Sequence, residues 1–558
     1  MVRRRRRRAL DWVLGLTGHT SRRAAFYIAA VTIAALGVRL YQLDRRTITH
    51  PELFAPGIPL PAYAVEPNPR HSLMEVVRGT LTGDIHPPAY YIGGLAWTSI
   101  FGTRLFALRL PSAVLGAVAV LLLYLYARRE DGEGPALFAA ALLALHGEHV
   151  FWSQHARMWV PLSCLALGSA SLLSMLTEKP RRSTVLAYAV VTAAGIWTDY
   201  YFWPFVLAQM VWAAAQTVRD RRHIVMLDGL MLAAVLGSPM LVYLHYQTQR
   251  GNFLSENLRA PLLSLLPVMA IPTSRALVAV LTVVTGVAFV AGVAGTRSSR
   301  VKPPSPIDPP AAPVGFLCGA SLAGSAFVAA ALTPVASGLT IAVGVLIPWI
   351  ASVIWLGTRK YVEGSGWRGW PRSHVANDLS ATLLLTSLLI LVAVHLTREP
   401  VVVGRGLVML APFVALLMAR GVFALGNGRA RAAAMAVLLC VSAASAGESY
   451  TRVNSTADYK GLAEQIRPQV RPDDVIVVEN GFWTTPVHYY FPPDRFRAIE
   501  ASSLTAPLPE RVWIVMFRED GVARTQRLAA ERLPHYVERA HADARLGHAA
   551  LFEPEGRP

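Results

Sequence analysis

Thirteen apolar runs decide what this chain can fold into. They lie at about 26–42, 110–126, 135–152, 158–176, 184–199, 203–217, 226–246, 275–295, 315–337, 339–357, 380–397, 407–424 and 431–447. A helix crosses a bilayer with about 17 to 25 mostly apolar residues. A chain of 558 residues that is 53% hydrophobic and 16% charged, with a mean hydropathy of +0.40, is too apolar for a large soluble enzyme. The expected class is a polytopic α-helical membrane protein with about 13 transmembrane helices.

The net charge of +18 reports topology, not a nucleic-acid partner, because Lys and Arg fall in short clusters between the apolar runs. Residues 88–101 (PAYYIGGLAWTSIF) are apolar but short, with two glycines behind a proline pair. If this segment lies flat at the interface, the clusters near 128, 179–182, 219–222, 297–302, 359–372 and 429–431 share the side of the Arg-rich N-terminus. The charge bias favours that reading, with residues 1–25 a cytoplasmic basic segment against lipid headgroups and residues 43–109 an outer loop with interfacial helices. Cys164, Cys318 and Cys440 each sit in an apolar run, so neither a disulfide framework nor a cysteine metal site is supported.

Residues 448–558 change character. The runs 474–478 (DVIVV) and 512–516 (VWIVM) read as buried strands, and 458–468 and 521–532 read as helices. A small extracytoplasmic α/β domain is expected there, behind a transmembrane region of residues 26–447. Residues 301–313 (VKPPSPIDPPAAP) read as a proline-rich cytoplasmic linker.

Polar residues gather at the outer ends of the spans. Thr49-His-Pro-Glu52 puts a carboxylate beside Leu53 and Phe54, and an apolar setting raises a carboxylate's basicity. In Asp84-Ile-His-Pro-Pro88, proline fixes the chain direction and suits the first turn of a helix, so Asp84 and His86 would be held rigidly. The bland alternatives are a solvated carboxylate, a plain helix start and an interfacial aromatic belt. Ser153-Gln-His-Ala-Arg157 and the Arg398–Arg405 stretch place arginines near the bilayer, where they snorkel to headgroups or meet an anion. No Walker loop, Rossmann fingerprint, HExxH or GxSxG motif stands in a convincing context.

In this order and spacing, four of these pieces resemble the GT-C superfamily of membrane glycosyltransferases, in particular the bacterial branch related to protein O-mannosyltransferases and the aminoarabinose transferase. They are the acidic first outer loop, Asp84-Ile-His-Pro-Pro88, Ala107-Leu-Arg-Leu-Pro-Ser112, and Ser153-Gln-His-Ala-Arg-Met158. Thr198-Asp-Tyr-Tyr201 is a looser likeness, as is Arg405 ahead of a proline-containing helix. The first loop departs from the family's Asp-Glu pair, carrying Pro51-Glu52 instead.

The resemblance implies transfer of a sugar from a polyprenyl-phosphate donor to a glycan, lipid or protein acceptor at the outer face of a bacterial cytoplasmic membrane, with inversion. It implies Glu52, Asp84 and His86 as catalytic candidates, the base being either carboxylate. His50, Tyr91, His155, Arg157, Asp199, Tyr200 and Arg405 become substrate-binding candidates, with the arginines on the lipid phosphate. Histidine and carboxylate ligands are compatible with a divalent cation, and the spacing leaves a metal open. The competing reading is a transporter or flippase of an anionic lipid-linked substrate, which normally carries its ionisable residues near the midplane of inverted repeats.

Overall fold

The computed structural model describes residues 21–60, 72–248, 378–397, 404–423, 425, 427–451, 457–493 and 495–556. The runs at 275–295, 315–337 and 339–357, the proline-rich linker, Cys318 and Arg398 lie outside them. Among the described residues, five helices are long and apolar enough to cross a membrane, or six if one bent pair counts as a span. The chain is therefore a multi-pass helical membrane protein.

Helix α1 (Arg22–Leu40) starts at Ser21, whose hydroxyl accepts from the Ala24 amide. A 3-10 turn, His50–Phe54, follows behind Thr49, with Glu52 closing a capping box. Helix α2 (Leu73–Gly83) opens on a second such box between Ser72 and Glu75, and α3 (Ala89–Phe101) follows Pro87-Pro88. The 13 residues of α3 rise only about 20 Å, short of the hydrocarbon thickness. Helix α4 (Leu105–Asp131) then runs for 27 residues.

The run at 135–152 is not one straight span. It divides into α5 (Glu133–Ala144) and α6 (Gly147–Ser153), bent by 58°. Arg39, fully buried at the end of α1, explains the break: its guanidinium donates to the carbonyls of Leu143 and Ala144 at 3.2 and 3.0 Å, taking acceptors that a continuous helix would use. The run at 226–246 is also split, at Ser238-Pro239, because proline has no amide to donate to the preceding turn.

The remaining helices of this part of the chain are α7 (Trp159–Glu178), α8 (Arg182–Thr198), α9 (Phe202–Arg219), α10 (Ile224–Gly237), α11 (Pro239–Thr248), α12 (Leu379–Thr397), α13 (Ala411–Phe423) and α14 (Gly428–Thr451). A 3-10 segment, Gly404–Leu410, leads into α13. One apolar core, with Leu123, Leu167, Phe205 and Phe413 inside it, joins α4, α7, α9 and α13.

Residues 457–556 build helices α15 (Tyr459–Ile466), α16 (Thr484–Tyr490) and α17 (Gly521–Arg532) around strands β1 (Val475–Val478), β2 (Arg497–Glu500), β3 (Val512–Met516), β4 (Tyr536–Ala544) and β5 (Gly547–Pro554). The sheet order is β2-β1-β3-β5-β4, parallel through β3 and antiparallel beyond it. Strands β1 and β3 are wholly buried because helices cover both faces, which is why they read as unbroken apolar runs. One face, with Ile476, Val478 and Trp513, packs on α15 and α16 and also on Ile48, Leu53, Leu105 and Ala156 of the loop after α1 and the neighbouring helix ends. The Tyr489 hydroxyl donates to the Thr103 carbonyl at 2.8 Å, and the Lys460 amide to Thr47 Oγ1 at 3.1 Å. The sheet is thus seated on the loop that carries Glu52.

Candidate active site

The 3-10 turn holds Glu52 with its side chain fully buried against Arg109. Arg109 Nε and Nη2 donate to the two carboxylate oxygens at 2.9 and 2.8 Å, and the Ala156 and Thr49 amides donate to the same oxygens at 2.8 and 2.9 Å. Arg109 spends its other donors on the carbonyls of Leu43, Arg46 and Thr47. Every N–H of the guanidinium is used, as are the four lone-pair positions of the carboxylate. Burial would raise the Glu52 carboxyl, but the Arg109 charge and these donors outweigh it and hold it down at about 2.

Asp84 ends α2, and its Oδ1 accepts from the Ile85 and His86 amides at 2.6 and 3.0 Å. That Asx turn aims His86 inward, where Nδ1 lies 3.0 Å from Asp199 Oδ2, at the end of α8. The edge of the His86 ring meets Trp159 at 5.7 Å. Asp199 is itself fixed by the Tyr201 amide on its other oxygen at 2.8 Å. Behind the turn, Gln247 of α11 donates to the Thr80 and His86 carbonyls and accepts from the Tyr200 hydroxyl at 2.9 Å, pinning the turn against α11.

Two arginines complete the cluster. Arg157 Nη1 donates to the Pro51 carbonyl at 3.2 Å, and its charge acts on the buried phenol of Tyr91, on which Asp84 also acts. Burial pushes the Tyr91 phenol well up, so it stays a hydroxyl. Its oxygen is buried and has no hydrogen-bond partner of normal geometry. Arg405 lies across the face of Trp159 at 5.7 Å, with its Nε buried and equally without a partner. Next to it, Gly406 lets the Tyr201 ring pack against this segment, since a Cβ there would lie 2.4 Å from the ring. Two neighbouring guanidinium groups, one with an unsatisfied Nε, beside a buried unpaired phenol suit a small oxyanion. Among the described residues, no group of three or more His, Cys, Asp or Glu side chains is placed to hold a metal ion.

Residues 86–243 match the family of dolichyl-phosphate-mannose-protein mannosyltransferases. Over these residues the expected likeness to protein O-mannosyltransferases is borne out. No curated relative matches the sequence. Among solved structures, ArnT from Cupriavidus metallidurans bound to undecaprenyl phosphate is similar at 14% identity and a TM-score of 0.46, over 95% of this chain and 98% of that one. The archaeal oligosaccharyltransferase AglB from Archaeoglobus fulgidus, in complex with an inhibitory peptide and a dolichol-phosphate, is similar at 12% identity and a TM-score of 0.45, over 94% of this chain and 74% of that one.

The matched segment holds His86, Tyr91, His155, Arg157, Asp199 and Tyr200, while His50, Glu52, Asp84 and Arg405 fall outside it. The fold brings Asp84, His86, Tyr91, Arg157, Asp199 and Arg405 together, with Tyr200 behind them. His155 turns away: its Nδ1 donates to the Phe151 carbonyl at 2.8 Å, and burial lowers its imidazole to about 4. His50 faces the α/β sheet, stacked on Phe482. Sequence reading left Trp159, Tyr201 and Gln247 without roles. Gln247, a lone amide ending an apolar run, was the signal for one of them.

Proposed function

We propose that the protein moves a sugar from a polyprenyl-phosphate donor to an acceptor hydroxyl at the outer membrane face. The observation that carries this reading is the buried, partnerless Nε of Arg405 beside Arg157, close to the carboxylate of Asp84. A half-buried guanidinium with a desolvated, unsatisfied N–H is costly, so its retention fits a site completed by a bound phosphate. The lipid phosphates named for ArnT and AglB are of that chemical class.

In this mechanism Arg405 and Arg157 grip the donor phosphate with forked guanidinium groups. The acceptor oxygen attacks the anomeric carbon from the opposite face while the bond to the phosphate oxygen breaks. The acceptor proton passes to a carboxylate, and polyprenyl phosphate leaves with inversion at carbon. Charge grows on the phosphate during this step, so fixed cations there stabilise the transition state more than the ground state.

Asp84 is the better base. Glu52 has its lone pairs filled, and a carboxylate held near 2 is a weak acceptor. His86, oriented by Asp199, faces the same space and positions the Asp84 turn. The Tyr91 hydroxyl is a further donor for the phosphate or the sugar.

Incubation of the purified protein in lipid with radiolabelled polyprenyl-phosphate sugars and a membrane extract as acceptor source is the test. Release of polyprenyl phosphate with label in a new product is the expected result. Donor that crosses the bilayer unchanged would instead make the protein a flippase.

A further inference from the structure

A cavity that neither Arg157 nor Arg405 lines lies at the seam between the loop carrying His50 and the α/β sheet. Its volume is about 580 Å³, within the range of about 300–1,000 Å³ typical of small-molecule sites. The wall is a run of aromatic rings from both sides of the seam. His50 stacks on Phe482 with centroids 3.6 Å apart and planes 13° from parallel. Phe482 meets Trp483 edge-on at 4.9 Å, Trp483 meets Phe517 at 5.5 Å, and Phe517 meets Tyr459 at 4.7 Å.

Phe482 is 53% exposed, unusual for a ring held so firmly: the stack fixes one side, and His50 Nε2 donates to the Phe482 carbonyl at 3.3 Å. Burial lowers the His50 imidazole, so the ring stacks uncharged at neutral pH. The rim is polar and of mixed sign, formed by the exposed side chains of Arg518, Glu519 and Asp520. Arg518 Nε lies 3.5 Å from Asp520 Oδ1.

We propose that this cleft binds a neutral pyranose of the acceptor, an assignment that rests on the sugar-transfer reading above. A pyranose has a C–H face whose hydrogens suit the electron-rich face of an aromatic ring, and a rim of vicinal hydroxyls that both donate and accept. Fixed aromatic faces bordered by both a guanidinium and carboxylates match that pattern. A rim carrying two carboxylates and one guanidinium repels a phosphate, which separates this cleft from the arginine site. The cleft also connects to the chemistry: His50 precedes Pro51, whose carbonyl receives Arg157.

The test uses the full-length protein in nanodiscs and saturation-transfer NMR titrations with methyl pyranosides and their disaccharides. One or more should bind to the wild type, and Phe482→Ala should weaken that binding roughly three- to tenfold. Phe482 is half exposed, so its removal leaves the fold intact; an unchanged melting temperature checks this. Asp84→Asn should bind the same sugars unchanged, so loss of turnover and loss of sugar binding are separable. Absence of pyranoside binding to the wild type, equal binding to Phe482→Ala, or displacement of the pyranoside by a polyprenyl-phosphate sugar each overturns the assignment. Binding of an unglycosylated peptide at the cleft in place of any sugar overturns it as well.

Discussion

Glu52 and Asp84 are carboxylates on neighbouring loops, each within reach of Arg157 or its backbone partner, yet their surroundings are opposite. Glu52 is sealed in, with every lone pair engaged and its countercharge supplied by one arginine. Asp84 is half-buried beside the Tyr91 oxygen and near Arg157, which neighbours the unsatisfied Nε of Arg405. A buried polar group that is fully satisfied builds the scaffold, and one that is left open waits for a ligand. The Glu52–Arg109 pair ties the outer loop to α4 and to the Ala156 amide. The Asp84 group stands on that platform.

The comparison breaks most visibly at the pair. Glu52→Ala leaves the Arg109 guanidinium buried without its anion, a change that costs about 3–5 kcal/mol. The expected result is a large fall in melting temperature in detergent, with sugar transfer lost only as the fold is lost. A variant that melts like the wild type but cannot turn over would return Glu52 to the role of base.

Asp84→Asn tests the opposite side. Turnover should drop by about 10²- to 10⁴-fold, the usual worth of a general base, while the melting temperature and donor binding stay near wild type. A single-turnover assay with prebound donor reads this directly. Normal rates with Asn at this position would move the base elsewhere.

Acid sharpens the same contrast, with a sign that can be stated in advance. The Glu52 carboxyl lies at about 2 against an ordinary 4.5, so its contribution is fully present above about 4.5 and is lost as pH falls towards 2. That difference is worth about 3 kcal/mol. His155, lowered from 6.5 to about 4 by burial, acts in the same direction one window higher: the unfolded chain takes up its proton between 6.5 and 4 and the folded one does not. Stability should therefore decline in two stages below pH 6.5, and a His155→Gln variant should lose the upper one. Melting curves across this range decide it, and a single stage unaffected by His155→Gln would count against the assignment.

Much of this division was legible in the sequence, though not all. Apolar length located helices among the described residues but not the breaks within 135–152 and 226–246, and the run 474–478 supplies β1, which pairs with β3 at the centre of the sheet, where burial on both faces removes the alternation of polar residues. The prolines of Asp84-Ile-His-Pro-Pro88 announced a helix start behind a rigid loop, whereas the Asx turn at Asp84 emerged only from the fold. The partner of Glu52 was harder to see. Glu52 and Arg109 are 57 residues apart, and a carboxylate beside Leu53 and Phe54 reads as a raised base until the arginine across the fold is known. Likewise the bend after Ala144 depends on Arg39, whose target carbonyls are over a hundred residues away. Composition reports burial, whereas the sign of a buried charge's shift is set by tertiary neighbours.

Arg405 gives the smallest effect and the most discriminating one. Its Nε is buried without a partner and its plane lies over Trp159, so removing it relieves a desolvated donor and takes away one cation–π contact. Those two effects oppose each other, and the melting temperature of Arg405→Ala should move little. Donor affinity should fall by about 10- to 100-fold, the worth of one or two charge-assisted hydrogen bonds to phosphate. Arg405→Lys should recover only part of it, because an ammonium keeps the charge but loses the fork. Arg109→Lys makes the reciprocal control, since it should lower the melting temperature strongly through the broken bidentate pair and reduce affinity only in proportion to unfolding. Should the two arginines give the same pattern, the separation between a sealed ion pair and an open anion site would be wrong, and the distinction between Glu52 and Asp84 would go with it.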